Sequence, residues 1–359
     1  MSRVVQKYFF HQLAMGIGIV LLALLGIDIF FYLVNELRYI GKGQYSLLTV
    51  FMFVGLKIPT KLYFLYPWSA LLGTLLVLGQ LARSSELVVL QSSGLSITRQ
   101  AILVFKATLV ITMIMFIVGE VIAPLTEQVA QKKKMTAISS GKAMQIQGGV
   151  WVRNQDSFIY IKHSNGEDDL QQLTIYNFDD ELNLQIAMHA NRALKKDTGW
   201  QLQNISGTRF YRDRIESFRK PKMFVKQLVD IDVLQATSIK HLERLSFRQL
   251  VKIIKLRVGN NLDVQDYIFA FWLKVFHPIG ALVMIFLAVP FAFGPLRSSS
   301  SGLRLLTGVL IGFTFYITNT VIAPMVTVVE MSPFLAAATP SILFIGIGCW
   351  LVRTTSTVR

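Results

Sequence analysis

Six apolar stretches, each about the length that crosses a bilayer as a helix, constrain this chain more than any other feature. They occupy residues 8–34, 47–82, 100–125, 268–293, 303–329 and 334–352. A hydrocarbon core of about 30 Å takes about 20 residues at helical rise, and each stretch comes close to that length or passes it. The composition agrees: 16% of the residues are charged, against roughly 25% in a soluble domain. The first stretch is too long for a cleaved signal, and no small-x-small site comes before Asn35-Glu36-Leu37-Arg38. It reads as an anchor.

The second stretch would be about 54 Å long as one helix, so it is either one protruding span or a hairpin kinked at Pro59 or Pro67. Loop charge chooses between them. With a single span and an inner N-terminus, the inner side holds Arg3, Lys7, Arg83, Arg99, Lys106, Arg297, Arg304, Arg353 and Arg359. The short outer loops hold Arg38 and Lys42. That bias obeys the positive-inside rule and favours the single span. Both termini are then expected in the cytoplasm, and the polar insert between the third and fourth stretches in the periplasm of a bacterial inner membrane. The expected division is 1–126 for three spans, 127–266 for the outer domain and 267–359 for three more spans.

The net charge of +15 would suit a nucleic-acid binder, but its distribution does not. Residues 127–266 hold 22 basic against 16 acidic side chains, and the mostly apolar remainder holds 14 against 5. Basic residues bordering apolar spans point to membrane orientation and anionic lipid. A single cysteine, Cys349, excludes disulfide frameworks and cysteine-rich zinc sites.

The insert reads mainly as β. SFIYIKH at 157–163 is rich in aromatic and β-branched residues and precedes an Asn165-Gly166 turn. Further strands are expected at 173–178, 184–190, 200–205 and 208–211, with turns at Asp179-Asp180 and Asp197-Thr198-Gly199. Short strands at roughly 8–12-residue spacing suggest a sandwich or jelly roll. A helix over 247–258 follows, with Ser246 and Gln249 as a capping box and Phe247, Leu250, Val251, Ile254 and Val258 as its apolar face.

Catalytic signatures are absent. The sequence has no GxxxxGK[ST] loop and no HExxH, its five histidines are scattered, and the spans offer one aspartate, Asp28. No enzyme, metal or cofactor is expected. Ionisable residues inside the spans need a partner or a wet cavity. Glu120 and Lys274 sit at similar depths from the outer ends of their spans, so they can pair. Lys57 and Lys61 share a helix face at i, i+4. With Arg38, Lys42, Lys132, Lys133 and Lys134 they bring seven cations to the outer membrane border. These either snorkel to headgroups or form an anion-binding rim for a phosphorylated lipid. On the inner side, 84–94 reads SSELVVLQSSG, a short helix stopped at Gly94. Such a helix lies on the membrane or docks in a groove of a cytosolic partner, offering Glu86 to a basic residue. A docking helix without an ATP site suits an ABC transporter permease.

SELVVLQSSG at 85–94, GEVIAP at 119–124, GPLRS at 294–298 and GFTFY at 312–316 resemble the LptF/LptG permease family of the lipopolysaccharide exporter, on its LptG side. The resemblance covers nearly the whole chain. It implies an α-helical membrane protein of six transmembrane helices, three and three, with an inserted periplasmic domain like a β-jelly roll. It implies an LptF-type permease partner, two LptB-type ATPase subunits, an LptC-type bridge protein, and lipopolysaccharide as the substrate. The family's coupling helix maps onto Ser85, Glu86, Leu87, Leu90 and Gly94. Its basic positions map onto Arg38, with Tyr39 in place of a second lysine, onto Lys61 displaced by one residue, and onto Lys132 and Lys134. A membrane-anchored β scaffold without lipid transport is the alternative; it shares the topology but needs neither the docking helix nor the outer cations.

Overall fold

The computed structural model describes residues 3–95, 97–138, 144–154, 157–164, 168–179, 181, 183–196, 199–211, 213–226, 228, 242–260, 262–293, 300–322, 325 and 331–357. The GPLRS segment, the Asn165-Gly166 turn, and Asp180, Asp197 and Thr198 lie outside them. The chain divides into two compact units. One holds Met1–Asn35, Val54–Val129 and Gln265–Arg359, and the other Glu36–Phe53 and Ala130–Val264.

The first unit is helical. Helix α1 runs Arg3–Leu37, α2 Leu47–Arg83, α3 Glu86–Ser92 and α4 Ile97–Ile117. A π turn, Val118–Ile122, joins α4 to α5, Ala123–Ile138. Among the described residues, five helices are long and apolar enough to cross a membrane: α1, α2, the α4–α5 rod, and two later ones over Gln265–Pro290 and Pro333–Arg353. A shorter apolar helix covers Leu306–Ile322, within the fifth apolar stretch.

Helix α2 stays unbroken through Pro59 and Pro67, so the 47–82 stretch is one helix and not a hairpin. It is the central helix of this unit, 72% buried over its apolar window against 17% for α1. Close backbone approach holds α1 on α2. A Cβ added to Gly73 would lie 2.6 Å from the Ile17 Cα, and one on Gly16 would lie 2.1 Å from a Val77 methyl. Small residues at helix crossings in a membrane work this way, because dispersion contacts replace the hydrophobic drive. The core around the crossing contains Phe9, Leu13, Ile17, Tyr66, Leu78 and Ile285.

The second unit is built on a six-stranded antiparallel sheet in sequence order. Its strands are β1 Met144–Asn154, β2 Ser157–Ser164, β3 Asp169–Phe178, β4 Leu184–Lys196, β5 Gly199–Phe210 and β6 Ile215–Val225. Among the described residues this is a meander, with no Greek-key crossover. Register explains its core. Ile161 faces Leu173, Leu173 faces Ala190, and Ala190 faces Ile205, so one row of nearly inaccessible apolar side chains crosses four strands. A one-residue slip would turn the whole row outward, which fixes the pairing. The β3–β4 turn is an Asx turn: Asp179 accepts from the Asn183 and Glu181 backbone N–H groups at 2.8 and 3.1 Å. The Asn183 bond chiefly holds the Asp179 carboxyl below its usual range.

Helix α6, Phe247–Gly259, follows in the same unit. Its capping box is complete, with the Gln249 N–H donating to Ser246 Oγ at 3.3 Å and the Ser246 N–H donating to Gln249 Oε1 at 2.9 Å. Its inner face differs from the sequence expectation. Leu250 and Ile253 are the buried pair, while Val251 and Val258 are exposed. The first unit then continues with α7 Gln265–Phe293, α8 Ser301–Ile322 and α9 Pro333–Thr357.

Candidate functional site

The sequence-predicted cations fall into two sets. Arg38, Lys42, Lys132, Lys133 and Lys134 lie in the second unit, and Lys57 and Lys61 in the first.

In the second unit, the turn after α1 is closed by the Gly41 N–H donating to the Tyr45 carbonyl, with positive φ at Gly41 and Gly43. The Gln44 N–H donates to the Ala137 carbonyl at 2.7 Å, which brings α5 beside this turn. Glu36 is buried there, paired with Lys134 and accepting from the Tyr45 hydroxyl at 2.8 Å. The Tyr39 ring has Lys134 Nζ 4.1 Å and Lys42 Nζ 4.9 Å from its centroid. The tyrosine in place of a second lysine therefore organises two lysines by cation–π attraction. Arg38, Lys42, Lys132 and Lys133 are exposed. Glu36, Tyr39 and Tyr45 are missing from the sequence-based candidates, although an acid two residues before Arg38 and aromatic residues among the cations were the available signals.

Among the described residues, three ion pairs that cross between helices of the first unit stand out. Lys57 and Glu127 pair with side chains 3% and 8% exposed. Lys61 Nζ lies 2.9 Å from Asp28 Oδ2 and 4.7 Å from the Tyr32 ring, in a half-buried position. Lys274 Nζ donates to Glu120 Oε2 at 2.7 Å. In a low-dielectric interior a lone charge is costly, so each of these side chains depends on its partner. The i, i+4 spacing of Lys57 and Lys61 serves two separate pairs.

The GEVIAP segment shows how backbone chemistry sets the third pair. Pro124 has no N–H to return to the Glu120 carbonyl, and its ring would crowd that carbonyl. The helix widens into a π turn across 118–122 at this place. Gly119 lies flat on Tyr63, where an added Cβ would sit 2.1 Å from the ring. Tyr63 in turn stacks on His277, with centroids 4.0 Å apart and planes 23° apart. His277 is three residues beyond Lys274, so the Gly119–Tyr63–His277 stack and the Glu120–Lys274 pair share one junction of α2, α4 and α7. π turns recur at functional positions in helices.

Helix α3 ends in a Schellman motif. The Leu95 N–H donates to the Leu90 carbonyl and the Gly94 N–H to the Gln91 carbonyl, with Gly94 at φ +90°. Gln100 Nε2 ties the helix to α4 by donating to the Leu87 and Leu95 carbonyls. At its start, Ser85 has φ +61° and makes no side-chain cap. Ser84 Oγ instead donates to Glu86 Oε1 at 2.8 Å, and the Tyr8 hydroxyl donates to Glu86 Oε2 at 2.6 Å. Leu87 is buried in the helical core, and Leu90 packs against that core. Val88 and Val89 are the exposed apolar side chains, Val89 at 64%. Tyr8, which orients the acid, is 78 residues away in sequence, so no local signal marks it.

Comparison with known proteins agrees along the whole chain. The family model described as "Lipopolysaccharide export system permease LptF/LptG" matches residues 7–354. The chain is 32% identical to the lipopolysaccharide export system permease protein LptG of Haemophilus influenzae, over 98% of this chain and 99% of that protein. It is 30% identical to the protein of the same name from Escherichia coli, over 99% of this chain and 98% of that one. Five long apolar helices and a shorter sixth, an inserted antiparallel sheet and a match of this extent place the chain in the lipopolysaccharide export permease LptF/LptG family.

Proposed function

We propose that this protein is the LptG-type permease subunit of an ABC transporter that lifts lipopolysaccharide from the outer leaflet of the inner membrane to a periplasmic bridge. The observation that carries this reading is the family match over residues 7–354. Residues 1–126 and 267–359 form the membrane part and 127–266 the periplasmic domain, with both termini in the cytoplasm. An LptF-type subunit completes the cavity, two LptB-type ATPases drive it, and an LptC-type protein receives the lipid.

The chain itself catalyses no reaction in this scheme. Its exposed cations, Arg38, Lys42, Lys132 and Lys133, catch lipid A and core phosphates at the cavity mouth, each worth on the order of 1 kcal/mol near an anionic surface. Lys134 is held by Glu36, and Lys61 by Asp28, so these two join the substrate only when phosphate displaces a carboxylate. Helix α3 docks on the ATPase through Glu86 and the exposed Val88 and Val89, with Leu87 and Leu90 as its anchors in the permease. ATP-driven closure of the ATPase pair pushes on α3 and biases the cavity between two states.

Reconstitution tests the reading. Proteoliposomes holding this chain with its permease, ATPase and bridge partners should release lipopolysaccharide to a soluble acceptor in an ATP-dependent way. Release that is equal without this chain would contradict it, and would favour the scaffold alternative.

A further inference from the structure

Helix α6 exposes one side that mixes cations with apolar residues. Arg248, Val251, Lys252, Lys255 and Val258 are all exposed and follow one another at helical spacing, so they form a single stripe. The opposite side, Leu250 and Ile253, is buried within its own unit. A cleft of about 450 Å³ runs along the stripe, lined by Phe247, Arg248, Val251, Lys252 and Lys255. Its lining combines three cations with two apolar side chains, and α6 contains no acidic residue. Two valines left in water on a helix whose buried face is already filled call for an apolar contact that tolerates cations.

We propose that this stripe is an interfacial lipid site, with Arg248, Lys252 and Lys255 on the headgroups of anionic glycerophospholipid and Phe247, Val251 and Val258 at the acyl boundary. A basic amphipathic face with few but definite apolar side chains is the chemistry that lies in a membrane interface. Covalent reach supports the same occupant. Five residues, 260–264, join α6 to the first residue of the apolar helix α7. An extended chain spans at most about 3.3–3.6 Å per residue, so α6 is tethered to the start of a membrane helix. The site shares no residue with the Arg38–Lys134 cluster, and it depends on the membrane topology rather than on lipopolysaccharide as substrate.

The test uses the full chain with the subunits it purifies with, in nanodiscs. Cys349→Ser removes the native thiol, Val258→Cys supplies a new one, and an environment-sensitive fluorophore is attached. Nanodiscs of phosphatidylcholine alone are compared with ones containing phosphatidylglycerol. The site predicts a blue-shifted emission with phosphatidylglycerol that high salt reverses. Near a charged surface each cation is worth about fivefold in occupancy, so Arg248→Glu with Lys255→Glu should abolish the shift. If the double reversal does not yield folded protein, Arg248→Gln with Lys255→Gln should reduce it. Equal emission in both nanodiscs would overturn the proposal. So would a shift that survives removal of the charges, or one that only added lipopolysaccharide produces. None of these outcomes bears on whether the protein exports lipopolysaccharide.

Discussion

Replacing Glu120 by glutamine takes from the Lys274 ammonium, in a nearly inaccessible position, the carboxylate it donates to. In the native protein that ammonium is 4% exposed and 2.7 Å from the carboxylate, whose side chain is 16% exposed. Two unit charges at 4 Å attract by about 4 kcal/mol at an effective dielectric of about 20, and this pair is closer. Removing one partner of a buried pair typically costs about 3–5 kcal/mol. Glutamine keeps an oxygen that still accepts from Nζ, so Glu120→Gln belongs at about 3 kcal/mol, the lower end of that range. Lys274→Met belongs at the upper end, because methionine offers the Glu120 carboxylate no donor in place of the ammonium. The double variant carries neither charge of this pair, and it should be more stable than the sum of the singles by at least about 2 kcal/mol, the size of coupling expected for groups in contact. Thermal unfolding in detergent, followed by tryptophan fluorescence on all four proteins, gives the cycle. Additivity to within about 0.5 kcal/mol would refute the reasoning and make the pair a bystander.

Three further outcomes follow from the same geometry. Gly119→Val should sharply lower the yield of folded protein on gel filtration, because its side chain meets the Tyr63 ring, and Tyr63→Ala in the same chain should restore part of it. Tyr8→Phe removes one of the two hydroxyls holding Glu86; co-purification of the ATPase should weaken severalfold while the melting temperature stays unchanged. In the sheet, Ile161→Ala should cost about 2–5 kcal/mol in thermal denaturation as a core truncation, whereas Ile215→Ala, 69% exposed, should stay within about 0.5 kcal/mol.

What the sequence made legible was what single segments determine. Apolar length located the membrane helices, and the spread of basic residues chose one helix over a hairpin for 47–82. The capping box at Ser246 and the glycine stop at Gly94 are local chemistry and could be read directly. Strand β2 was visible from its β-branched and aromatic residues, and β3 and β4 from the turn signals that bound them, though β4 runs on to Lys196. Strand β6 was not visible. It is an exposed edge strand, and its Lys220-Pro221-Lys222 run is what keeps such an edge from pairing further. Strand β1 was hidden by Gly148-Gly149, within the stretch where its register against β2 shifts. The 200–205 segment and Thr208–Phe210 are one strand, β5, with Phe218 and Met188 packed over Gly207; Tyr211 falls just beyond it. Around the cations, charge located the basic residues but not their partners. Which lysine is held by Glu36, Asp28 or Glu127 depends on contacts between distant segments.

Photo-crosslinking of lipopolysaccharide to the purified complex tests the central claim most directly, comparing the wild type with an Arg38→Glu, Lys42→Glu, Lys133→Glu variant. These three side chains are exposed, so their reversal should leave assembly and basal ATPase activity intact. The transport account predicts a specific crosslink to this chain in the wild type that is lost in the variant while ATPase activity persists. Crosslinking that is equal in both, or absent from both, would contradict it.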